Sequence, residues 1–259
     1  MPGDKPLNTD DFWEHLAQTN PYWAVLTADE FRTENLDQGA IDRFYATGEE
    51  TVDRIIRALF TRFPGSEHLQ TTLDFGCGVG RLLFALAKRS DRAIGVDVSD
   101  KMLQLCADNA QARDIHNITL VKGDDSLSQI TGPVDLVASQ LVFQHIPPER
   151  GYRLFARLLQ LLKPGGHGYI NVPYASEMRN ITTERSTPSA EFHYYQRVGN
   201  DILRLVKTPV ESVKVMEMNH YNLNEVLCLL LDNEVNELYL RHKAAKGILH
   251  ADLFFRKSG

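Results

Sequence analysis

Little in this chain points toward a membrane, a duplex or an oxidising compartment. No window approaches 18 consecutive apolar residues, so no membrane-spanning helix is expected. The opening residues, MPGDKPLNTDDFW, have no basic flank followed by an apolar stretch, so no secretory signal is expected either. Cysteine is scarce. Cys77, Cys106 and Cys228 are odd in number and far apart, which fits neither a disulfide framework nor a zinc site. All three are expected to be small buried hydrophobes in a reducing compartment. Lys and Arg form no stripe, and 34 acids against 28 bases leave a net charge of -6, so nucleic acid is not an expected partner. The nine histidines show no compact ligand spacing, and no metal is expected. These absences together suggest a cytoplasmic protein, monomeric or homodimeric.

What is present suits an α/β protein. The 259 residues, 43% apolar and 24% charged, are enough for one full core with a small appendage. Residues 1–70 read as a helical cap in short pieces, interrupted by Pro21 and Gly39. Its clearest piece is GEETVDRIIRALFTRF, where Val52, Ile55, Ile56, Leu59, Phe60 and Phe63 recur at three and four. Thr47, with Glu50 three positions on, has the spacing of a capping box for that helix, and Pro64-Gly65 should end it.

From residue 71 to 259 the pattern is a strand–helix alternation. TTLDF, AIGVDVS, ITLVKGD, PVDLVASQLVF and HGYINVPY read as strands. GRLLFALAKRS, KMLQLCADNAQAR and ERGYRLFARLLQLL read as the connecting helices. Residues 174–200 are polar and aperiodic and read as an insertion. The chain ends with a helix, NLNEVLCLLLDN, capped by Asn222 or Asn224, and strands in VNELYL and from about His250 to Arg256.

The chemistry gathers at LDFGCGVGRLL. An apolar run ends in Asp74, and Gly76, Gly78 and Gly80 follow, with Cys77 between the first two. Such an order describes a buried strand, a tight turn with exposed backbone N–H groups, and a helix whose N-terminus favours a negatively charged ligand part. The third glycine comes one position too early for a dinucleotide fingerprint, and Asp74 would repel a pyrophosphate. Asp74 is either a turn residue or the acceptor for a ligand ammonium. Asp97 ends the second strand, where its two oxygens suit the hydroxyls of a ribose, with Val98 beside it and Met102 able to pack on an adenine face. Asp124 and Asp125 end the third strand. One of them suits an adenine amino group, with Ser126 the nearest hydroxyl, and the sequence does not choose between the two acids. Together these residues describe a nucleoside-bearing cofactor at the carboxyl edge of a parallel sheet.

In order along the chain, LDFGCGVGR, VDVS, VKGD, DLVASQLVFQHIP and LLKPGGHGYINVP resemble the motifs of class I S-adenosylmethionine-dependent methyltransferases. The resemblance implies a Rossmann-like, doubly wound sheet of seven strands, order 3-2-1-4-5-7-6 with the last strand antiparallel, and helices on both faces. It implies S-adenosylmethionine as cofactor and S-adenosylhomocysteine as product. By position it makes the Asp74–Gly78 stretch the methionine-end cradle, Asp97 the ribose acid and Asp124 the adenine-edge acid, with Gln140 near the pocket. The phrase NPYWAVLT…FYATGEE resembles openings of small-molecule methyltransferases, which places Tyr22, Trp23 and Thr47 near the methionine end or over the pocket. Glu234 stands where relatives often have glycine before the sixth strand.

Methyl transfer needs alignment and desolvation more than a battery of catalytic groups, and a base only where the acceptor arrives protonated. His145 in FQHIP is the candidate base; the alternative is that it orders its loop. His193, Tyr194 and Tyr195 are candidates for an acceptor wall, Arg185 and Glu191 for reading acceptor charge, and His220 for the acceptor side of the final helix. The expected function is methylation of a small molecule, with oxygen slightly favoured over nitrogen. A protein or peptide acceptor and a non-catalytic, cofactor-binding partner subunit are the alternatives.

Overall fold

The computed structural model describes residues 9–63, 65, 68–176, 193–198, 201–206, 216–245 and 247–259. For residues 176, 193–198, 201–206, 216 and 217 the description is of the backbone alone.

Three helices open the described chain: α1 (Thr9–Thr19), α2 (Pro21–Val25) and α3 (Gln38–Arg62). Helix α3 begins well before the capping box expected at Thr47. The Asp37 side chain caps it, accepting from the Ala40 N–H at 2.6 Å. Thr47 lies inside the helix, and its hydroxyl donates to the Phe44 carbonyl at 2.6 Å. Gly39 falls in the first turn and does not interrupt it. Gly48 also sits within the helix because α3 lies directly on the chain at Arg81: a Cβ there would stand 1.9 Å from the Arg81 carbonyl oxygen. That close packing offsets the entropy a helical glycine costs.

The main sheet contains β1 (Leu69–Phe75), β2 (Ser90–Asp97), β3 (Ile118–Lys122), β4 (Val134–Ser139), β5 (Leu162–Ser176), β9 (Glu237–Ala245) and β10 (Ile248–Arg256) in the order β3-β2-β1-β4-β5-β10-β9. Strand β10 runs antiparallel to both neighbours. Counting only the strands of this sheet, the order is 3-2-1-4-5-7-6, as the resemblance implies. Between β5 and β9, strands β6 (His193–Val198), β7 (Asp201–Val206) and β8 (Met216–Asn219) form a second sheet, order β7-β6-β8. The stretch 174–200, expected to be aperiodic, thus contains strand β6, whose partners β7 and β8 follow it. HYYQRV and DILRLV are β-rich runs separated by Gly199-Asn200, a hairpin signal masked by the charged residues around it.

Helices α4 (Leu83–Ala87), α5 (Asp100–Ala112), α6 (Pro148–Leu161) and α7 (Leu223–Asp232) complete the fold. One core joins α1–α5 to the sheet through Phe44, Ile55, Leu59, Leu83, Cys106 and Tyr169. The other joins α6 and α7 to its opposite face through Phe143, Phe155, Leu158, Tyr221 and Val226. Cys77 and Cys106 are buried as expected, but Cys228 is exposed: on α7 it falls on the face opposite Val226 and Leu230. Asn222 caps α7 by accepting from Asn224 N–H at 3.0 Å. The helix ends in a Schellman motif, with Glu234 N–H donating to Leu231 O at 3.1 Å and Val235 N–H to Leu230 O at 2.9 Å. Glu234 therefore takes the left-handed position, φ 64°, that glycine favours.

Candidate active site

Strand order reverses between β1 and β4, and a crevice opens at their carboxyl ends, where α/β sheets bind ligands. The Ser139 hydroxyl ties the strands together by donating to Phe75 O at 3.0 Å. Beyond Phe75 the chain turns on Gly76, φ 77°, whose missing side chain makes room for Val142: a Cβ would lie 2.3 Å from its Cγ2.

The glycine loop was expected to present free N–H groups. Instead four of its donors are used within the protein. Gly76 and Cys77 N–H both donate to Val96 O, at 2.8 and 2.9 Å, and Gly80 N–H donates to Cys77 O at 2.9 Å. Gly78 N–H donates to Asp97 Oδ2 at 2.8 Å. Helix α4 starts only at Leu83, too late to aim its N-terminus into the loop. The loop thus provides room and orients an acid rather than cradling an anion.

Asp97 also accepts from Ser99 N–H at 2.9 Å, and burial pushes its carboxyl up from the usual range. Asp74 lies beneath the loop, almost fully buried. Desolvation pushes it up to about 7, opposed by the nearby Arg81 guanidinium and reinforced by Asp97. Arg81 is itself buried, which lowers it to about 10. It donates to Gln140 Oε1 at 2.8 Å, while its buried Nε has no hydrogen-bond partner among the described residues.

A cavity of about 830 Å³, part of it open to solvent, occupies the crevice. Of the residues expected at the site, Gly76, Gly78, Asp97, Val98, Met102, Asp124, Gln140 and His145 line it. Asp124 reaches the wall and Asp125 does not. Asp124 accepts from the Ser126 and Ser128 hydroxyls at 2.8 and 2.6 Å, and these bonds hold its carboxyl well below the usual range. Asp125 accepts instead from Arg150 Nε at 2.6 Å.

Other expected residues lie off the wall. Asp74 and Cys77 are beneath it, and Ser126 serves the Asp124 turn. The Tyr22 hydroxyl donates to Asn109 Oδ1 at 2.9 Å, and Trp23 is buried with the Arg32 guanidinium 4.8 Å from its ring centre. Thr47 is occupied within α3, and His220, just after β8, is kept below the usual histidine range by burial. His193, Tyr194 and Tyr195 lie in β6, where the description covers the backbone only; Arg185 and Glu191 fall outside the described residues.

His145 is buried, in a short turn after β4. Its Nε2 lies 2.8 Å from Gln144 Nε2, and because an amide nitrogen only donates, that ring nitrogen is the acceptor. The Trp13 ring packs against the imidazole. Leu141, which precedes this turn on the cavity wall, has φ 62°, a strained conformation for a leucine.

Sequence reasoning missed Thr9, Asp10, Trp13, Val25 and Arg150 on the wall. Asp10 pairs with Arg150 across 140 positions, and no local spacing signals such a contact. Among the described residues no cluster of His, Cys, Asp and Glu is arranged to hold a metal, and no helix is long and apolar enough to cross a membrane.

Comparison with known proteins places this geometry. A family model described as a methyltransferase domain matches residues 72–166. Residues 72–166 are a class I methyltransferase domain. The chain is 27% identical over 160 residues to the ubiquinone biosynthesis O-methyltransferase of Acinetobacter baumannii, covering 58% of this chain and 67% of that one. It is 31% identical over 106 residues to phosphoethanolamine N-methyltransferase 1 of Triticum aestivum, covering 39% of this chain but only 21% of the wheat protein. The fold is similar to that of magnesium protoporphyrin IX methyltransferase from Synechocystis, solved with bound S-adenosylhomocysteine. The TM-score is 0.63 at 17% identity, with 96% of this chain and 98% of that one covered.

Proposed function

We propose that the protein transfers a methyl group from S-adenosylmethionine to a small-molecule acceptor, at oxygen in preference to nitrogen. The observation that carries this reading is the single cavity wall that unites Gly76, Asp97, Met102 and Asp124 with His145. When bound, S-adenosylmethionine supplies a methyl group on a sulfonium, which leaves as neutral S-adenosylhomocysteine.

The residues fit that donor better than a dinucleotide. A pyrophosphate needs free loop N–H groups, and those of Gly76, Cys77, Gly78 and Gly80 are taken. An amino-acid end carries an ammonium and a carboxylate, and Asp74 and Arg81, a buried acid and a buried cation behind the wall, give this end of the crevice the matching pair of charges. Asp97 accepts from the ribose hydroxyls, Met102 and Val98 pack on the adenine, and Asp124 accepts from its amino group.

On the acceptor side, Trp13, Ile146 and Leu154 favour a molecule with apolar surface. His145 takes the acceptor proton at Nε2 after the incoming hydroxyl displaces the Gln144 amide. The relation to an O-methyltransferase over the greater length supports oxygen. The size of the cavity and the helix over it favour a small molecule over a protein. Neither metal nor nucleic acid enters this reading, and the protein acts in the cytoplasm as a monomer or homodimer.

Mass spectrometry of cell extract incubated with the protein and methyl-labelled S-adenosylmethionine tests the reading. The expected result is a labelled small molecule with the label on oxygen. Label in the protein fraction alone would sink it.

A further inference from the structure

Helix α1 spans the crevice and is tied down on both sides of it. Thr9, Asp10 and Trp13 face the cavity, opposite the glycine loop and Asp97. At one end Arg150, from the start of α6, bridges two acids. Its NH1 and NH2 donate to the two oxygens of Asp10, at 2.7 and 3.0 Å, while its Nε donates to Asp125 at 2.6 Å. The Arg150 side chain is only 19% exposed, so this planar fork is shielded far more than an ordinary surface pair. One turn further along, at the middle of the helix, Glu14 accepts from the Ser99 hydroxyl at 2.7 Å and from Lys101 N–H at 3.2 Å, at the start of α5. Ser99 is also the residue whose N–H donates to Asp97. The helix is thus fastened beside the adenine loop at its first turn and beside the ribose acid one turn later.

We propose that α1 is a lid over the methyl-donor cavity and that Arg150 is the positioning residue that latches it, so that ligand exchange requires the Asp10–Arg150 contact to open. The inference rests on the donor reading above. Three features carry it. The helix touches the cavity directly. Its attachments at the rim are polar and reversible. Arg150 also joins it to Asp125, next to the acid that reaches the adenine end. Closing the latch brings Trp13 onto His145 and shuts water out of the place where methyl transfer needs desolvation. Opening it at the first turn costs the charge-assisted hydrogen bonds and exposes the buried Phe12, while Leu16 and Ala17 hold the far end of the helix to the core and no strand pairing is broken.

The Asp10→Asn variant weakens the latch and leaves Arg150 bound to Asp125, so the start of α6 stays supported. In the full chain, stopped-flow displacement should show S-adenosylhomocysteine leaving roughly 10- to 100-fold faster than from the wild type. The acceptor KM should rise more than kcat falls. Hydrogen exchange should accelerate in residues 9–19, with α5 and α6 unchanged. Arg150→Lys, which keeps charge but loses the fork, should fall between the two. Release and α1 exchange at wild-type rates in Asp10→Asn would overturn the lid. A wild-type chain that binds no S-adenosylhomocysteine would overturn the donor reading instead, and α1 exchange would still decide whether the latch holds the helix.

Discussion

The Trp13 indole meets the His145 imidazole with ring centroids 4.7 Å apart and planes inclined by 62°. A residue of the first helix thus forms part of the wall around the candidate base. Such a ring pair contributes about 0.5–1.5 kcal/mol beyond area burial. Trp13→Leu should therefore raise the acceptor KM by about 2- to 10-fold and leave S-adenosylhomocysteine affinity within about 3-fold of wild type. Steady-state kinetics and titration calorimetry on the same preparation measure both.

His145→Gln retains a hydrogen-bonding side chain and removes the base. General-base catalysis contributes about 10²- to 10⁴-fold, so turnover should drop by at least about 100-fold while donor affinity changes little. Equal turnover would assign His145 to ordering its turn, the role that its bond to Gln144 also allows.

Asp97→Asn removes the charge that accepts from Gly78 and Ser99 and that would accept from the ribose. Hydrogen bonds to a charged group contribute about 1.5–3 kcal/mol, so the dissociation constant for S-adenosylhomocysteine should rise by about 10- to 100-fold. Calorimetry with the folded variant, its fold checked by circular dichroism, would show it. Unchanged affinity would remove Asp97 from the donor site.

Asp74, pushed up to about 7 by burial, makes binding pH-dependent. Because the folded protein keeps a proton that the unfolded chain loses near pH 4, this group's contribution to stability is full below about pH 4 and is lost as pH rises through about 7. A ligand ammonium prefers the ionised carboxylate, so donor affinity should move the other way and climb from pH 6 to pH 8. Asp74→Asn should flatten that climb. Titrations at pH 6, 7 and 8 decide it, and an equally steep profile in the variant would exclude Asp74 as its source.

Glu234 holds the left-handed position of the Schellman motif that closes α7, φ 64°. That conformation costs a non-glycine residue roughly 1–2 kcal/mol, part of which a glycine returns as lost chain entropy. Glu234→Gly should raise the melting temperature by about 2–4 °C without altering donor binding. A lower melting temperature would mean that the side chain makes a contribution larger than the backbone strain.

Much of the fold was readable because its signals are local. LDFGCGVGR states a strand, a sharp turn and a tightly packed continuation within a few residues, and the strand-end acids Asp97 and Asp124 follow at βαβ spacing. Asn222 behaved as its position suggested. Thr47 did not: a capping-box pattern is also compatible with a helix interior, and Asp37 upstream made a better cap. Cys228 was misplaced because composition assigns cysteine to the interior, while the helical phase of α7 turns this one outward.

The sequence by itself determined the strand–helix alternation and the acids at the sheet's carboxyl edge, since hydrophobic periodicity and glycine chemistry act between near neighbours; the order of the strands followed from the motifs' resemblance to the methyltransferase family. Only the tertiary structure decided three further matters: that the loop N–H groups are already spent on Val96 and Asp97, that Asp124 rather than Asp125 reaches the cavity, and that α1 lies across it. Each depends on contacts between segments far apart in the chain, with Asp10 and Arg150 the most distant pair in the site. No pattern within one segment encodes which distant donor meets which acceptor; packing around the closed core does.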